Sequence, residues 1–384
     1  MKTRLSIAIV GGGLTGLTLA ALLTKCRQSD AFDITVIDAA SRPAFSMDDD
    51  IALRVSAIAN GSAELLASIG AWDAVLNARV SPYERMRIWD ESDTPMGASA
   101  LTFNASEFAT AQLGFIVENV LLQDALLKVL DNSDVSLQYD TQLKSLPDAD
   151  LVVGADGARS MVRELVGIKT NFWPYEQTAV VTHLVPQDAH LATAWQRFLR
   201  DGPLGMLPLA DGRLSVVWST TREIAAAALD ATDDELGKML TIASGGVLGG
   251  LTVAGPRGSF PLRAQHADNY VLAGVALIGD AAHAIHPLAG QGANLGLQDA
   301  AKLAEVIDAA IEGGLHPGDR PVLRRYERAR RGANLTMLHL MTGLNRLFAT
   351  DSTVVGELRS AGMRLFNRSG PIKERAVKVA LGVK

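Results

Sequence analysis

Three glycine-rich stretches hold the residue types that could do chemistry. The first, GGGLTG at residues 11–16, follows the apolar run SIAIV and leads into LTLAALLTKC. Gly11, Gly13 and Gly16 give the spacing GxGxxG, and Asp38 closes the next apolar run, FDITVID. In a strand–turn–helix, the first glycine makes the turn, the second admits a pyrophosphate to the backbone, and the third lets helix and strand pack closely. The helix start, Leu14 and Thr15 included, turns free N–H donors toward phosphate. Asp38 would accept hydrogen bonds from an adenosine ribose. The alternative is a tight βα turn whose acid merely ends a strand. The second stretch, GADGARSMVR, places Asp156, Arg159 and Arg163 at another strand end. These arginines can hold phosphate or a transient nicotinamide nucleotide, or pair with Glu164 on a helix face. The third, GDAAHAIHPLAGQGANLG at 279–296, carries Asp280, His283, His286, Pro287 and four glycines before a helix. It reads either as a metal loop or as backbone shaped to lie against a ligand. With no third ligand nearby, no metal is expected.

Positioning these stretches requires an α/β scaffold. Strand 6–10, its helix and the strand ending at Asp38 form a βαβ unit. A helical stretch is expected over about 56–76, short strands at RMRIWD and ALTF, and a helix at NVLLQDALLKVL. From about 172 to 263 the pattern is strands and turns with one polar helix at TDDELGKMLTIA. The Rossmann pattern then resumes at NYVLAGVALIGDAAH. The expected architecture is a discontinuous Rossmann-like domain (1–80, 114–171 and 264–319). Into it is inserted a mostly antiparallel β-sheet substrate domain (81–113 and 172–263), and a helical C-terminal region (320–384) follows. SGGVLGG at 244–250 fails as a second nucleotide fingerprint, because Val247 stands where the middle glycine must be. One dinucleotide is therefore held tightly, and any other binds transiently.

Bulk properties narrow the function classes. A single cysteine, Cys26, rules out an intrachain disulfide and any CxxC pair, which fits a reducing compartment. No signal peptide and no membrane-length apolar run is evident, so a cytoplasmic protein, peripheral at a membrane at most, is expected. The net charge of −6 hides an asymmetry: residues 320–384 hold fourteen Lys/Arg against four Asp/Glu, and the rest is acidic. That basic tail offers contact with an anionic membrane or a protein partner, or is a solvated helical pair. Nucleic acid is not expected, because the tail lacks interleaved aromatics.

Taken in order, the three motifs resemble those of FAD-dependent aromatic monooxygenases of the para-hydroxybenzoate hydroxylase type. The third motif and the tail RYERARRGANLTMLHLMTGLNRLF are most similar to the ubiquinone-biosynthesis hydroxylase branch. Two departures are Ala293, where a larger apolar residue is expected, and Asp38, where Glu is more usual. The resemblance implies a Rossmann-like FAD-binding domain with FAD as cofactor and NAD(P)H as transient co-substrate. It implies that O2 forms a flavin C4a-hydroperoxide, which hydroxylates the ring of a polyprenylated phenol in ubiquinone biosynthesis. The implied FAD contacts are Gly11, Gly13, Leu14, Thr15, Gly16, Asp38, Arg54, Asn119, Asp156, Arg159, Gly279, Asp280, Pro287, Gly290, Gln291, Gly292, Ala293 and Asn294. His286 and Pro287 are the residues expected at the reacting face, His283 is expected to be a structural hydrogen-bonder, and Trp173, Phe198, Met206 and Trp218 are candidate pocket walls. The competing readings are another flavoprotein of this fold (halogenase, epoxidase or reductase), or a non-catalytic assembly subunit of a quinone-synthesis complex.

Overall fold

Parallel strands buried on both faces need near-continuous apolar sequence, and the first strand, Leu5–Val10, has it. It lies between Phe32–Ile37 and Leu151–Gly154, parallel to both, with Ile7 opposite Ile34 and Leu151. The computed structural model describes residues 4–286 and 291–382. Its six-stranded sheet is completed by Ser136–Gln138 on one side, and by Val275–Leu277 and Val271–Leu272 on the other. Strands from residues 5–37, 136–154 and 271–277 thus share one sheet, although 120 residues separate the neighbours Leu151–Gly154 and Val275–Leu277. The helices Leu14–Lys25 and Gln291–Glu312 pack against each other beside this sheet, around a core including Ile9, Leu17, Leu126, Leu277 and Leu303.

The second sheet has nine strands and is mostly antiparallel. Its long central strand, Thr170–Pro186, pairs with Leu214–Thr221 and with Gly258–Ala267. Side-chain alternation gives this sheet two unlike faces. Val180, Leu204, Met206, Val216 and Trp218 form a core with the helices Arg222–Asp230 and Asp233–Ser244. Phe198 points the other way and stacks on Phe348 of the 30-residue helix Arg320–Ala349, 3.8 Å between centroids. Trp173 meets His339 of the same helix at 6.0 Å. Of the four candidate wall residues, Met206 and Trp218 are therefore ordinary core.

Two local expectations are corrected. Residues 55–59 form a strand, not the start of a helix. Val55 and Ile58 favour an extended chain, and the segment pairs antiparallel with Gly114–Glu118, Ala57 opposite Ile116. The inserted segment also holds two helices rather than one: Thr221 caps Arg222–Asp230 by accepting from the Ile224 N–H, and the alanine-rich REIAAAALD favours helix. No helix among the described residues is long and apolar enough to cross a membrane.

Candidate active site

At the first βα turn, the glycines differ in what surrounds them. Gly11 has φ +111°, and a Cβ there would stand 2.3 Å from the Ala155 carbonyl oxygen. A Cβ on Gly16 would stand 2.0 Å from the Gly11 carbonyl oxygen, so these two glycines hold strand and helix together. Gly13 is different: a Cβ there meets nothing within 4 Å among the described residues. It caps the Leu14–Lys25 helix without a side-chain hydrogen bond, and no acid lies in the first turn. The free N–H donors of Leu14, Thr15 and their neighbours, with their positive partial charge, therefore face open space. Asp38 braces the turn, its carboxylate accepting from the Gly12 N–H at 2.5 Å and the Ala40 N–H at 2.7 Å. Each oxygen retains a lone pair for a further donor.

Asp156 uses one oxygen to cap the Met161–Leu165 helix, accepting from Met161 and Val162 N–H at 2.7 and 3.1 Å. Its other oxygen is buried with no partner among the described residues. The two arginines of this motif part company. Arg159 is exposed. Arg163 is buried and donates to the carbonyls of Ala281 and Ala158 at 2.7 and 2.9 Å. Holding phosphate and pairing with Glu164 are both set aside for Arg163, because its guanidinium staples the second motif to the third.

The third motif makes a tight turn at Gly279 (φ +58°), packed on Thr15, and Gly296 packs on the same threonine. Asp280 is accessible yet closely surrounded. Its carboxyl is pushed above the usual range by burial, against the nearby Arg54 and His283, and Asp299 adds to the rise. Arg54 is itself exposed, and its carbonyl accepts from the Asn119 N–H at 3.0 Å. The Asn119 side chain accepts from Ser56 Oγ at 2.7 Å. Gly292 opens the Gln291–Glu312 helix with nothing among the described residues near its Cβ position, while Ala293 packs on the core. Asn294 is a brace: its amide accepts from Ala59 N–H at 2.9 Å and donates to the Ala57 carbonyl at 2.8 Å. Pro287 and Gly290, and the side chain of Gln291, lie outside the described residues.

The two histidines do not converge. His283 Nε2 meets the buried Asp299 carboxylate at 2.5 Å. The same oxygen of Asp299 accepts from the Gly279 N–H at 3.1 Å, and the other accepts from Arg330 Nε at 2.7 Å and Asn334 Nδ2 at 3.1 Å. Burial alone would raise the Asp299 carboxyl; His283 and Arg330 hold it below the usual range. Sequence reasoning missed Asp299, Arg330 and Asn334. The available signal was a charge at the i+4 position between Leu295 and Leu303, on the apolar stripe of a helix. His286 is buried between the large sheet and the long helix. Its Nε2 lies 3.3 Å from Gln177 Oε1, which also accepts from Asn345 Nδ2 at 3.1 Å. The Tyr175 ring stands edge-on to it at 4.7 Å. Among the described residues, no group of three His, Cys, Asp or Glu is placed to hold a metal.

Burial lowers the pKa of His286 to about 4, and burial together with the nearby His283 lowers that of the buried His266 to about 4. Both bases bind a proton more readily in the unfolded chain, near pH 6.5, than in the folded one. Stability is therefore full above that value and falls as pH drops from about 6.5 toward 4. Urea unfolding at stepped pH should show this decline, and it should shrink in His266→Gln.

A long, anionic dinucleotide fits the observed surfaces. Among the described residues, Gly13 and Gly292 leave open space before two helix N-termini, one buried Asp156 oxygen lacks a partner, and Asp280 is exposed. Comparison with known proteins agrees. An FAD binding domain model matches residues 131–339, and an NAD(P)-binding Rossmann-like domain model matches residues 9–56. The chain is 35% identical to the 3-demethoxyubiquinol 3-hydroxylase of Escherichia coli K12, over 98% of each chain. It is 36% identical to the ubiquinone hydroxylase UbiL of Rhodospirillum rubrum, over 98% of this chain and 89% of that one. The crystal structure of p-nitrophenol 4-monooxygenase PnpA from Pseudomonas putida shares the fold, with a TM-score of 0.77 over the whole of both chains at 18% identity. FAD is the cofactor and NAD(P)H the co-substrate of this fold's oxygen chemistry. The braced βα turn and the end-to-end likeness to these two hydroxylases lead to one assignment: the chain belongs to the ubiquinone-biosynthesis hydroxylase family of FAD-dependent monooxygenases.

Proposed function

We propose that the protein hydroxylates the ring of a polyprenylated phenol on the route to ubiquinone, acting peripherally at a membrane or within a quinone-synthesis complex. The observation that carries this reading is the likeness to 3-demethoxyubiquinol 3-hydroxylase along nearly the full length of both chains. When bound, FAD would supply the redox chemistry, with NAD(P)H as the electron source and O2 as the source of the one oxygen atom added to an electron-rich ring. The chain's own residues bind and orient. Gly13 and the first turn of the Leu14–Lys25 helix receive the pyrophosphate, Asp38 the ribose, and Asp156 and Asp280 the hydroxyls between. Arg54 and Asn119 lie along the same path, and the exposed Arg159 is free to meet a transient nicotinamide nucleotide. At the N-terminus of the Gln291–Glu312 helix, backbone N–H groups favour negative charge on the reduced ring system by about 0.3–2 kcal/mol.

His286 is the side chain assigned to the reacting face. Held near a pKa of about 4, it is neutral in the working range and offers hydrogen bonds without a competing charge. Tyr175, Gln177, Thr342 and Asn345 orient it: Tyr175 Oη and Thr342 Oγ1 lie 2.7 Å apart, and Gln177 Nε2 donates to the Asp201 carbonyl at 2.8 Å. His286→Ala should retain FAD but lower turnover of the phenol by about 10²-fold, read as product per NAD(P)H consumed. His286→Asn, which keeps hydrogen bonding, should recover part of that loss. Unchanged coupling in both variants would remove His286 from the reaction. The proposed activity itself is tested by aerobic incubation with polyprenylated phenols and mass analysis of the product.

A further inference from the structure

The helices that end the chain are built inside out on one side. Thr353–Asn367 exposes Val354, Leu358 and Leu365, and Pro371–Leu381 exposes Ile372 and Val379, each 63–74% accessible. Their spacing of four and seven residues puts each set on one helix face. The exposed Ala361 and Ala376 fill the same stripes. An amphipathic helix of a globular protein turns such a stripe inward; here the inward faces are already occupied by other residues.

Both helices rest on the same support. Asn367 Nδ2 donates to the Ala100 carbonyl at 3.4 Å, and Lys373 Nζ donates to the Thr102 carbonyl at 2.6 Å. Met363 packs with Leu101, and Val377 and Leu381 pack with Phe103 and Ala105. Because both grip strand Leu101–Asn104 and its flanks, their outer stripes face away from one common surface. Around the stripes stand Arg364, Arg368 and Arg375, all exposed and in no ion pair among the described residues. Most acids nearby already have partners: Glu374 pairs with Lys378 at 2.8 Å, Asp90 with Arg359, and Glu91 and Asp351 with Arg200, while Asp93 and Glu357 stand on the Arg364 side.

We propose that this face docks on a membrane carrying anionic phospholipids, the leucine and isoleucine side chains entering the acyl boundary and the arginines meeting the headgroups. Charge complementarity selects this occupant. The segment from residue 320 is strongly basic, whereas the remainder of the chain is acidic and would be repelled by the same surface. The inference deepens the proposed reading, in which a prenyl-tailed substrate must be drawn from a lipid phase. It orients the enzyme by its last two helices.

The test is flotation of the FAD-loaded full chain with vesicles of phosphatidylcholine, alone or mixed with phosphatidylglycerol. Binding should require the anionic lipid and weaken with salt. Leu358→Asp combined with Leu365→Asp should lower the bound fraction at least about tenfold. Arg364→Glu combined with Arg368→Glu should lower it about fivefold or more per charge and flatten the salt dependence. FAD content and turnover of a soluble, short-tailed phenol should stay unchanged in both variants, and that turnover tests the proposed activity separately. Failure of the unaltered protein to float would overturn the proposal. So would binding indifferent to both variants, or self-association in solution relieved by Leu365→Asp, which would assign the stripes to a second copy of the chain.

Discussion

Gly13→Leu should abolish FAD retention while leaving the fold intact, and Gly11→Ala should damage both. The difference follows from what each added side chain meets. At Gly13 no atom of the described residues lies within 4 Å of a Cβ, and the backbone is in an ordinary extended conformation, so a leucine costs the folded chain little. It fills the space before the orphan N–H groups of the Leu14–Lys25 helix, where the pyrophosphate would lie. An affinity loss of about a thousandfold, about 4 kcal/mol, is expected. At Gly11 even a methyl group drives into the Ala155 carbonyl, and φ of +111° strains any L side chain. The expected cost is about 2–4 kcal/mol of stability. Flavin absorbance after gel filtration, with thermal unfolding of the apoprotein, separates the two. Equal thermal loss in both variants would mean that the space at Gly13 is structural.

The second large effect is expected at Asp299, which no motif contains. Its carboxylate joins the third motif (Gly279 and His283) to the long C-terminal helix (Arg330 and Asn334) in a largely buried cluster. Asp299→Ala leaves the Arg330 charge half-buried without its anion, although Gln298 and Asn334 still accept from it. A loss of about 3–5 kcal/mol is expected, with FAD released at a lower temperature because the Gly279 turn loses its anchor. Arg330→Ala should be markedly less harmful in the Asp299→Ala background than alone, with a coupling of about 0.5–3 kcal/mol. Because the folded carboxyl is held below its unfolded value, its contribution is present above the ordinary carboxylate range. It is lost as pH falls through the lower folded value. Additive losses in the double variant would mean that the pair does not act as a unit.

These two cases also mark what the sequence makes legible. GxGxxG with Asp38 is local chemistry: turn, helix start and acid lie within 28 residues, and the first hydrogen bonds among them appear where spacing puts them. The mostly parallel six-stranded and mostly antiparallel nine-stranded sheets are readable for a similar reason, because continuous apolar runs and alternating runs differ in period, whereas the small third sheet is not. Arg163 and Asn294 show the limit. Each sits inside a motif, yet each reaches a carbonyl or N–H group more than a hundred residues away, Arg163 the Ala281 carbonyl and Asn294 both backbone groups it meets. Asp299 and Arg330 meet only because the Gln291–Glu312 and Arg320–Ala349 helices pack side by side, which no local pattern specifies. The strand at Val55–Ala59 was hidden for the same reason: its partner, Gly114–Glu118, is remote, and pairing overrode a helical reading.

The most direct test of the central claim is aerobic turnover of the FAD-loaded protein with NAD(P)H and a panel of polyprenylated phenols, read by product mass. The account predicts a substrate-dependent gain of one oxygen atom on the ring, lost in Gly13→Leu. Flavin that is reduced by NAD(P)H and reoxidised by O2, yet inserts oxygen into no member of the panel, would contradict it.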